Sequence, residues 1–290
     1  MVTPTINDVW ICPTCGATAA NAYCGACGEK RLGHHDLTLL GIFEHAVESL
    51  FHVDGRLFRS LRTLLLSPGT LTAAYLRGER KAYFAPFQVF LVANVIFFVV
   101  QSALGFQTLS NDLASHIGNA GAANQFYSAT ARVLADHRLA DTGRTIDAYS
   151  EVFNHAVRIN AKALAVVMVP AYALLALITF PRARHPLLTA VVFSLHFVAF
   201  FLLMQALMMP IIGMPLNWIL RAVAARRLWD PVYTLALEAI WLWWSYSAFQ
   251  RVYGASRVHT GIGAAVVILA SIPVVIGYRF IVFVFTLYTT

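Results

Sequence analysis

The sequence predicts an all-α polytopic membrane protein of about five transmembrane helices, with a small cysteine-rich ribbon at its N-terminus and amphipathic surface helices between the two. Three observations predict this class. The 290-residue chain is 59% hydrophobic and only 12% charged, against about 25% charged residues in a soluble domain. Its apolar residues are gathered into runs long enough to cross a hydrocarbon layer roughly 30 Å thick. All four cysteines lie close together near the start, in two Cys-x-x-Cys-Gly knuckles.

The ribbon, residues 1–33, comes first. Cys12, Cys15, Cys24 and Cys27 supply two pairs of thiolates. Gly16 and Gly28 let the backbone curl beneath each pair. Two such knuckles complete a tetrahedral four-sulfur zinc site with no open position, so one structural zinc is expected rather than a catalytic one. Two disulfides or a redox pair are the alternative, which a reducing cytoplasm disfavours. A unit this small holds no core of its own without the metal. The opening MVTPTINDVW lacks the charged start and apolar centre of a secretory leader. The N-terminus is therefore expected in the cytoplasm, with the ribbon free to dock a protein partner there.

Residues 34–85 follow. Leu39, Leu40, Phe43, Val47, Leu50 and Phe51 recur at helical spacing, as do Leu57, Phe58, Leu61, Leu64 and Leu65. Apolar bulk beside basic residues suits helices lying on a membrane surface. Packing against the ribbon or against helix ends is an equal alternative. Glu44, His45, Glu48 and His52 contain an i, i+4 pair suited to a second metal, although surface helices often carry such residues without one. Ser67-Pro68-Gly69 breaks the helical pattern. Arg56, Arg59, Arg62, Arg77, Arg80 and Lys81 then stop where the first long apolar run begins, as positive charge does on the cytoplasmic side of a span. Arg77, Arg80 and Lys81 form a basic motif expected to face anionic lipid.

The pairing of the two knuckles with Arg62-Thr63, Ser67-Pro68-Gly69, Tyr75-Leu76-Arg77-Gly78-Glu79-Arg80-Lys81-Ala82-Tyr83 and Pro86 resembles a bacterial membrane-protein family catalogued only as a domain of unknown function. Phe193-Ser194-Leu195-His196 resembles a histidine that recurs in an apolar helix of that family. The resemblance implies an inner-membrane protein with a cytoplasmic ribbon. It implies no activity.

Residues 86–290 form the transmembrane domain, with spans expected at about 86–106, 159–180, 187–212, 232–249 and 261–288. A helical connector, 107–158, separates the first two, because a structureless loop of that length is unusual in a compact protein. With a cytoplasmic start, five spans place the C-terminus outside. Lys and Arg are more numerous on the ribbon side, which favours that orientation. The net charge of +7 raises nucleic acid as a partner. The basic residues flank apolar runs rather than forming one block, so anionic lipid is the better expectation.

Polar groups inside hydrocarbon cost a few kcal/mol unless paired. Asn94, His196, Glu238 and Arg279 are the intramembrane candidates. His196 and Asn94 fall roughly 15 Å and 12 Å from the inner ends of their helices. They read either as a polar path or as hydrogen bonds that fix helix packing. Glu238 and Arg279 are expected to pair between the last two spans, with snorkelling of Arg279 as the alternative. No nucleophile elbow, phosphate-binding glycine loop or His-Glu-x-x-His motif is present. The leading expectation is a non-enzymatic scaffold, sensor or transport-associated protein. A small-solute or ion transporter or channel and an intramembrane lipid-modifying enzyme are the alternatives.

Overall fold

The computed structural model describes residues 9–33, 38, 55–106, 108–118, 126–183, 185–222 and 228–290. It is helical apart from the ribbon. There β1 (Trp10–Ile11) pairs antiparallel with β2 (Thr18–Ala19), Trp10 opposite Ala19. Cys12, Ala19 and Cys24 are the ribbon's buried centre. Among the described residues, Trp10, Ala17 and Cys27 pack against this small centre.

A short helical hairpin leads into the bundle. Helix α1 (Gly55–Leu66) buries Ser60 and Leu64, and α2 (Thr70–Arg77) buries every residue from Leu71 to Tyr75. The turn between them requires glycine at 69. Its φ is +78°, and a side chain there would meet the backbone of Ala248 at 2.8 Å. Helix α2 packs among its neighbours and buries most of its length, whereas α1 leaves Phe58 and Leu66 exposed. The histidine-bearing stretch with Glu44, His45, Glu48 and His52 lies outside the described residues.

Helix α3 (Pro86–Leu104) starts with proline, whose missing N–H is one the first turn leaves unbonded in any case. The Gln88 side chain accepts from the Ala85 N–H at 3.0 Å, and Gly105 ends the helix at φ +67°. The connector contains α4 (Leu113–His116) and α5 (Ser128–Thr142). Helix α6 (Ile146–Leu164) is capped by Thr145, whose hydroxyl accepts from Ala148 N–H. It runs through a 3-10 turn, Ala165–Val167, directly into α7 (Met168–Thr179). Pro170 cannot donate to the carbonyl four residues back, which accounts for the tightened turn just before it. The last helix of the connector and the second span are thus one rod of 34 residues.

Helix α8 (Pro186–Met208) passes through a π turn, Met209–Gly213, into α9 (Met214–Ala222). Pro210 removes a backbone donor within that turn, and the Trp229 indole N–H bonds the Gly213 carbonyl at 2.9 Å. Helix α10 (Trp229–Tyr253) and the 33-residue α11 (Arg257–Thr289) complete the chain.

Among the described residues, four helical rods are long and apolar enough to cross a membrane: Pro86–Leu104, Ile146–Thr179, Pro186–Ala222 and Arg257–Thr289. The remaining long helix, α10, has the length to span at 25 residues. Its Trp, Ser and Glu238 content keeps it below them in apolar character. Helix α8 is the axis of the bundle. It is apolar all round, and its central window is 89% buried, as expected of a helix enclosed by others. Around it, α3, α7, α10 and α11 turn outward residues such as Val95, Val99, Leu174, Ile178, Leu235, Leu269 and Ile272. Such faces are stable only against lipid or another apolar surface.

Candidate functional site

The four cysteines converge. Cys12 Sγ lies 3.5 Å from Cys27 Sγ, and Cys15 Sγ lies 3.6 Å from Cys24 Sγ. All four sulfurs are within 4.8 Å of one another. None is in a disulfide, and these separations are far beyond a bonded S–S pair, about 2.05 Å. A tetrahedral metal with sulfur ligands at about 2.3 Å sets sulfurs about 3.8 Å apart. The donor set therefore fits one four-coordinate thiophilic ion, such as zinc or iron.

The backbone prepares the thiolates. Gly16 and Gly28, at φ +74° and +72°, end the knuckles. Their N–H groups return to the Cys12 and Cys24 carbonyls at 2.9 and 2.7 Å. The N–H groups of Cys27 and Ala26 aim at Cys24 Sγ and lower that thiol to about 7. The Glu29 N–H acts on Cys27 in the same direction. Desolvation and the three neighbouring thiols outweigh it and push Cys27 up to about 12. Four thiols this close cannot all ionise unless a cation enters among them.

Glu29, the residue after the second knuckle, is buried, at 2% exposure. Its Oε2 accepts from Thr14 Oγ1 at 2.7 Å, from Arg80 N–H at 3.0 Å and from Lys81 N–H at 2.8 Å. One carboxylate oxygen thereby ties the first knuckle, the second knuckle and the basic motif together. Beside it, Gly78 at φ +91° leaves no room for a side chain, because Leu32 of the ribbon lies 2.7 Å from where a Cβ would sit. Nothing in the spacing of Glu29 marks it for this role, since a charge after a knuckle reads as a solvated residue. Its only signal is its place one residue past Gly28.

Of the basic motif, Arg77 is exposed and pairs with Glu79 at 2.7 Å. The Arg80 guanidinium lies over the Tyr75 ring at 4.8 Å, and that of Arg56 lies 5.7 Å from the Phe84 ring centre. Lys81 is exposed. Lys30, Arg56, Arg80 and Lys81 border a cavity of about 330 Å³ between ribbon and bundle. Its floor is the start of α3, Ala85 and Gln88.

The four intramembrane candidates do not meet. Asn94 donates from Nδ2 to the Lys162 carbonyl at 3.1 Å, joining α3 to α6. His196 Nδ1 shares a 2.9 Å hydrogen bond with Thr72 Oγ1, joining α8 to α2. Arg279 donates to the Thr108 carbonyl at 2.6 Å. Glu238 Oε2 is buried without a hydrogen-bond partner. The expected Glu238–Arg279 pair is therefore not formed. The reason is axial offset. Counted from the tight turn that joins α10 to α11, Glu238 lies about 22 Å away and Arg279 about 33 Å away. Measuring both residues from the far end conceals this, because α11 is eight residues longer than α10.

Residues 54–98 match a protein family of unknown function (DUF3667). The matched stretch covers α1, α2 and about the first two-thirds of α3: the hairpin, the basic motif and the start of the first membrane-length helix. No curated protein and no solved structure matches the chain.

Proposed function

We propose that the chain is a non-enzymatic scaffold or sensor of the bacterial inner membrane, with a zinc-loaded ribbon on the cytoplasmic side that docks a soluble protein. The observation that carries the reading is the Glu29 clamp. It makes the ribbon a fixed part of the membrane-entry motif, so that a protein gripping the ribbon is tied to the bundle. Zinc is the ion of choice among those a four-sulfur site accepts, because a closed site with no redox task suits a structural ion. Val9 and Ile11, at 64% and 74% exposure, give the ribbon an apolar edge for docking. Asn94 and His196 use their hydrogen bonds to join helices, which supports packing over a polar path. The basic residues around the hairpin support a cytoplasmic placement, with the C-terminus on the other side.

The test is site-specific photo-crosslinking in intact cells from position 11. A discrete adduct that disappears on zinc chelation is expected. Crosslinking to lipid alone, or an adduct indifferent to chelation, would remove the docking role.

A further inference from the structure

Lys162 sits where a lysine is costly. It belongs to the rod Ile146–Thr179, which is long and apolar enough to cross a membrane, and its carbonyl accepts from Asn94 Nδ2 partway along α3. The side chain runs from there towards the far end, as a helical side chain directed back to its own N-terminus does. Its Nζ lies 3.3 Å from Ser102 Oγ, in the last turn of α3, and 5.3 Å from the centre of the Phe98 ring. A long cationic side chain buries its stem in this way and carries its charge to the headgroup level.

Neither contact neutralises the ammonium. A hydroxyl oxygen and a ring face carry no formal charge, and among the described residues no carboxylate pairs with Lys162. The Asp112 carboxylate that reaches α6 lies 3.7 Å from Arg158 instead. Lys162 holds three N–H donors and uses one on Ser102, which in turn keeps its own O–H to donate. The two residues border a groove of about 560 Å³ on the outside of the bundle. Phe98 and Ala163 line it, and Val95 and Val99, each 62% exposed, lie along its open side. Below the cation the groove is therefore apolar, down to Asn94 at the depth of the Lys162 carbonyl.

We infer that this groove seats one anionic phospholipid, its headgroup phosphate against the Lys162 ammonium and the Ser102 hydroxyl and one acyl chain along Val95 and Val99. Charge selects the lipid: a cation at the edge of the hydrocarbon attracts an anionic headgroup more than a zwitterionic one, whose own ammonium offsets its phosphate. Shape selects a lipid over a soluble anion, which would satisfy the cation but leave the valine face uncovered. The inference rests on the reading that α3 and the rod Ile146–Thr179 cross a membrane. It is independent of the ribbon and its protein partner.

Native mass spectrometry tests it, on the full-length protein released from nanodiscs of phosphatidylglycerol and phosphatidylcholine in equal amounts. One phosphatidylglycerol is expected to stay bound to each chain in preference to phosphatidylcholine. Lys162→Gln is expected to weaken its retention about fivefold. Val99→Trp fills the groove and leaves the ammonium in place, and the same weakening is expected there. Arg257→Gln, at an exposed cation on the first turn of α11, is expected to leave retention unchanged. Equal retention of the two lipids, or equal weakening by Lys162→Gln and Arg257→Gln, would mean a diffuse surface attraction and overturn the site. Undiminished retention in Val99→Trp would place the lipid elsewhere and overturn it too, and that variant decides alone should Lys162→Gln fail to fold. Release of the wild type from cell membranes by alkaline carbonate would overturn the membrane reading itself, a failure distinct from lost lipid preference in a protein that stays integral.

Discussion

The two ends of the bundle are held in different ways. At the ribbon end, polar groups close on one another across long stretches of sequence. Glu29 grips Arg80 and Lys81. The Trp244 indole donates to the Leu64 carbonyl at 2.8 Å. Arg251 donates to the Pro68 carbonyl and the Thr70 hydroxyl at 2.7 and 2.6 Å. At the far end, where the connector meets the last turns of α11, aromatic rings dominate. His116 lies 4.9 Å from Phe283, and Tyr127 lies 5.0 Å from Phe280, measured between ring centres. Polar atoms there are left over: Thr108 Oγ1, Ser110 Oγ, His116 Nε2 and Arg279 Nε are buried without hydrogen-bond partners. An apolar contact tolerates several registers, whereas a satisfied polar clamp tolerates one. The far end has polar ties of its own, Tyr149 Oη donating to the Leu287 carbonyl at 3.0 Å and His116 Nδ1 meeting Tyr127 Oη at 2.8 Å, so the ends differ in degree rather than in kind.

The comparison breaks most visibly if the metal is removed. Chelation, or Cys24→Ser, is expected to cost the ribbon its fold, because structural zinc sites contribute on the order of 10 kcal/mol. Hydrogen exchange should show residues 10–33 losing protection while the far end keeps its own. Equal loss at both ends would mean the ends are not independent.

Next in size is the clamp. Glu29→Ala removes a buried acceptor of three hydrogen bonds, two of them from the backbone N–H groups of Arg80 and Lys81. A loss of about 3 kcal/mol is expected, read as earlier proteolysis between residues 30 and 56 with the metal still bound. Metal loss in that variant would show that the clamp serves the site rather than the docking.

At the far end the informative variable is pH. Burial, and then the nearby Arg279 charge, push His116 from its ordinary 6.5 down to about 4. The folded state thus binds fewer protons than the unfolded chain, so its stability is full above pH 6.5 and is lost as pH falls from 6.5 towards 4. The loss by pH 4 is about 2 to 3 kcal/mol. His116→Phe should flatten the melting curve across that window. An unchanged slope would take His116 out of the acid response.

The smallest effect is expected at Arg279. Arg279→Met gives up one hydrogen bond to a carbonyl but also the cost of a buried cation, so the net change should stay within about 1 kcal/mol. A larger loss in thermal unfolding would show that the far end, too, relies on a polar clamp.

Much of this architecture was legible in the sequence, and the part that was not has a common cause. The thiol cluster was legible because its signal is local: two knuckles of fixed spacing specify four convergent sulfurs. The helical membrane class followed from hydropathy, which is additive along the chain. The contacts between distant residues were not legible. Thr72 and His196 are 124 positions apart and Glu29 and Lys81 are 52 apart, and no periodicity records either meeting. The burial of α2 was hidden because eight residues are too few to display a face. The continuity of α6 with α7 was hidden by Asn160 and Lys162, which interrupt the apolar run without interrupting the helix. The offset of Glu238 and Arg279 depends on the unequal lengths of two neighbouring helices, which hydropathy does not measure.

Those lengths have one more consequence. Helix α3, at 19 residues, is about 28 Å long and matches a hydrocarbon layer of about 30 Å. Helix α11, at 33 residues, is about 50 Å long. Fitting it inside the same layer needs a tilt of about 53°, beyond the range of roughly 0–40° that membrane helices adopt. A surplus must stand in water, and each of the three longer rods carries a proline along its length, at Pro170, Pro210 and Pro273. Those prolines lie about 14, 36 and 24 Å from the ribbon end of their helices. Proline removes a backbone donor in each of those rods, so the longer helices are the places where a bend could take up a change in bilayer thickness.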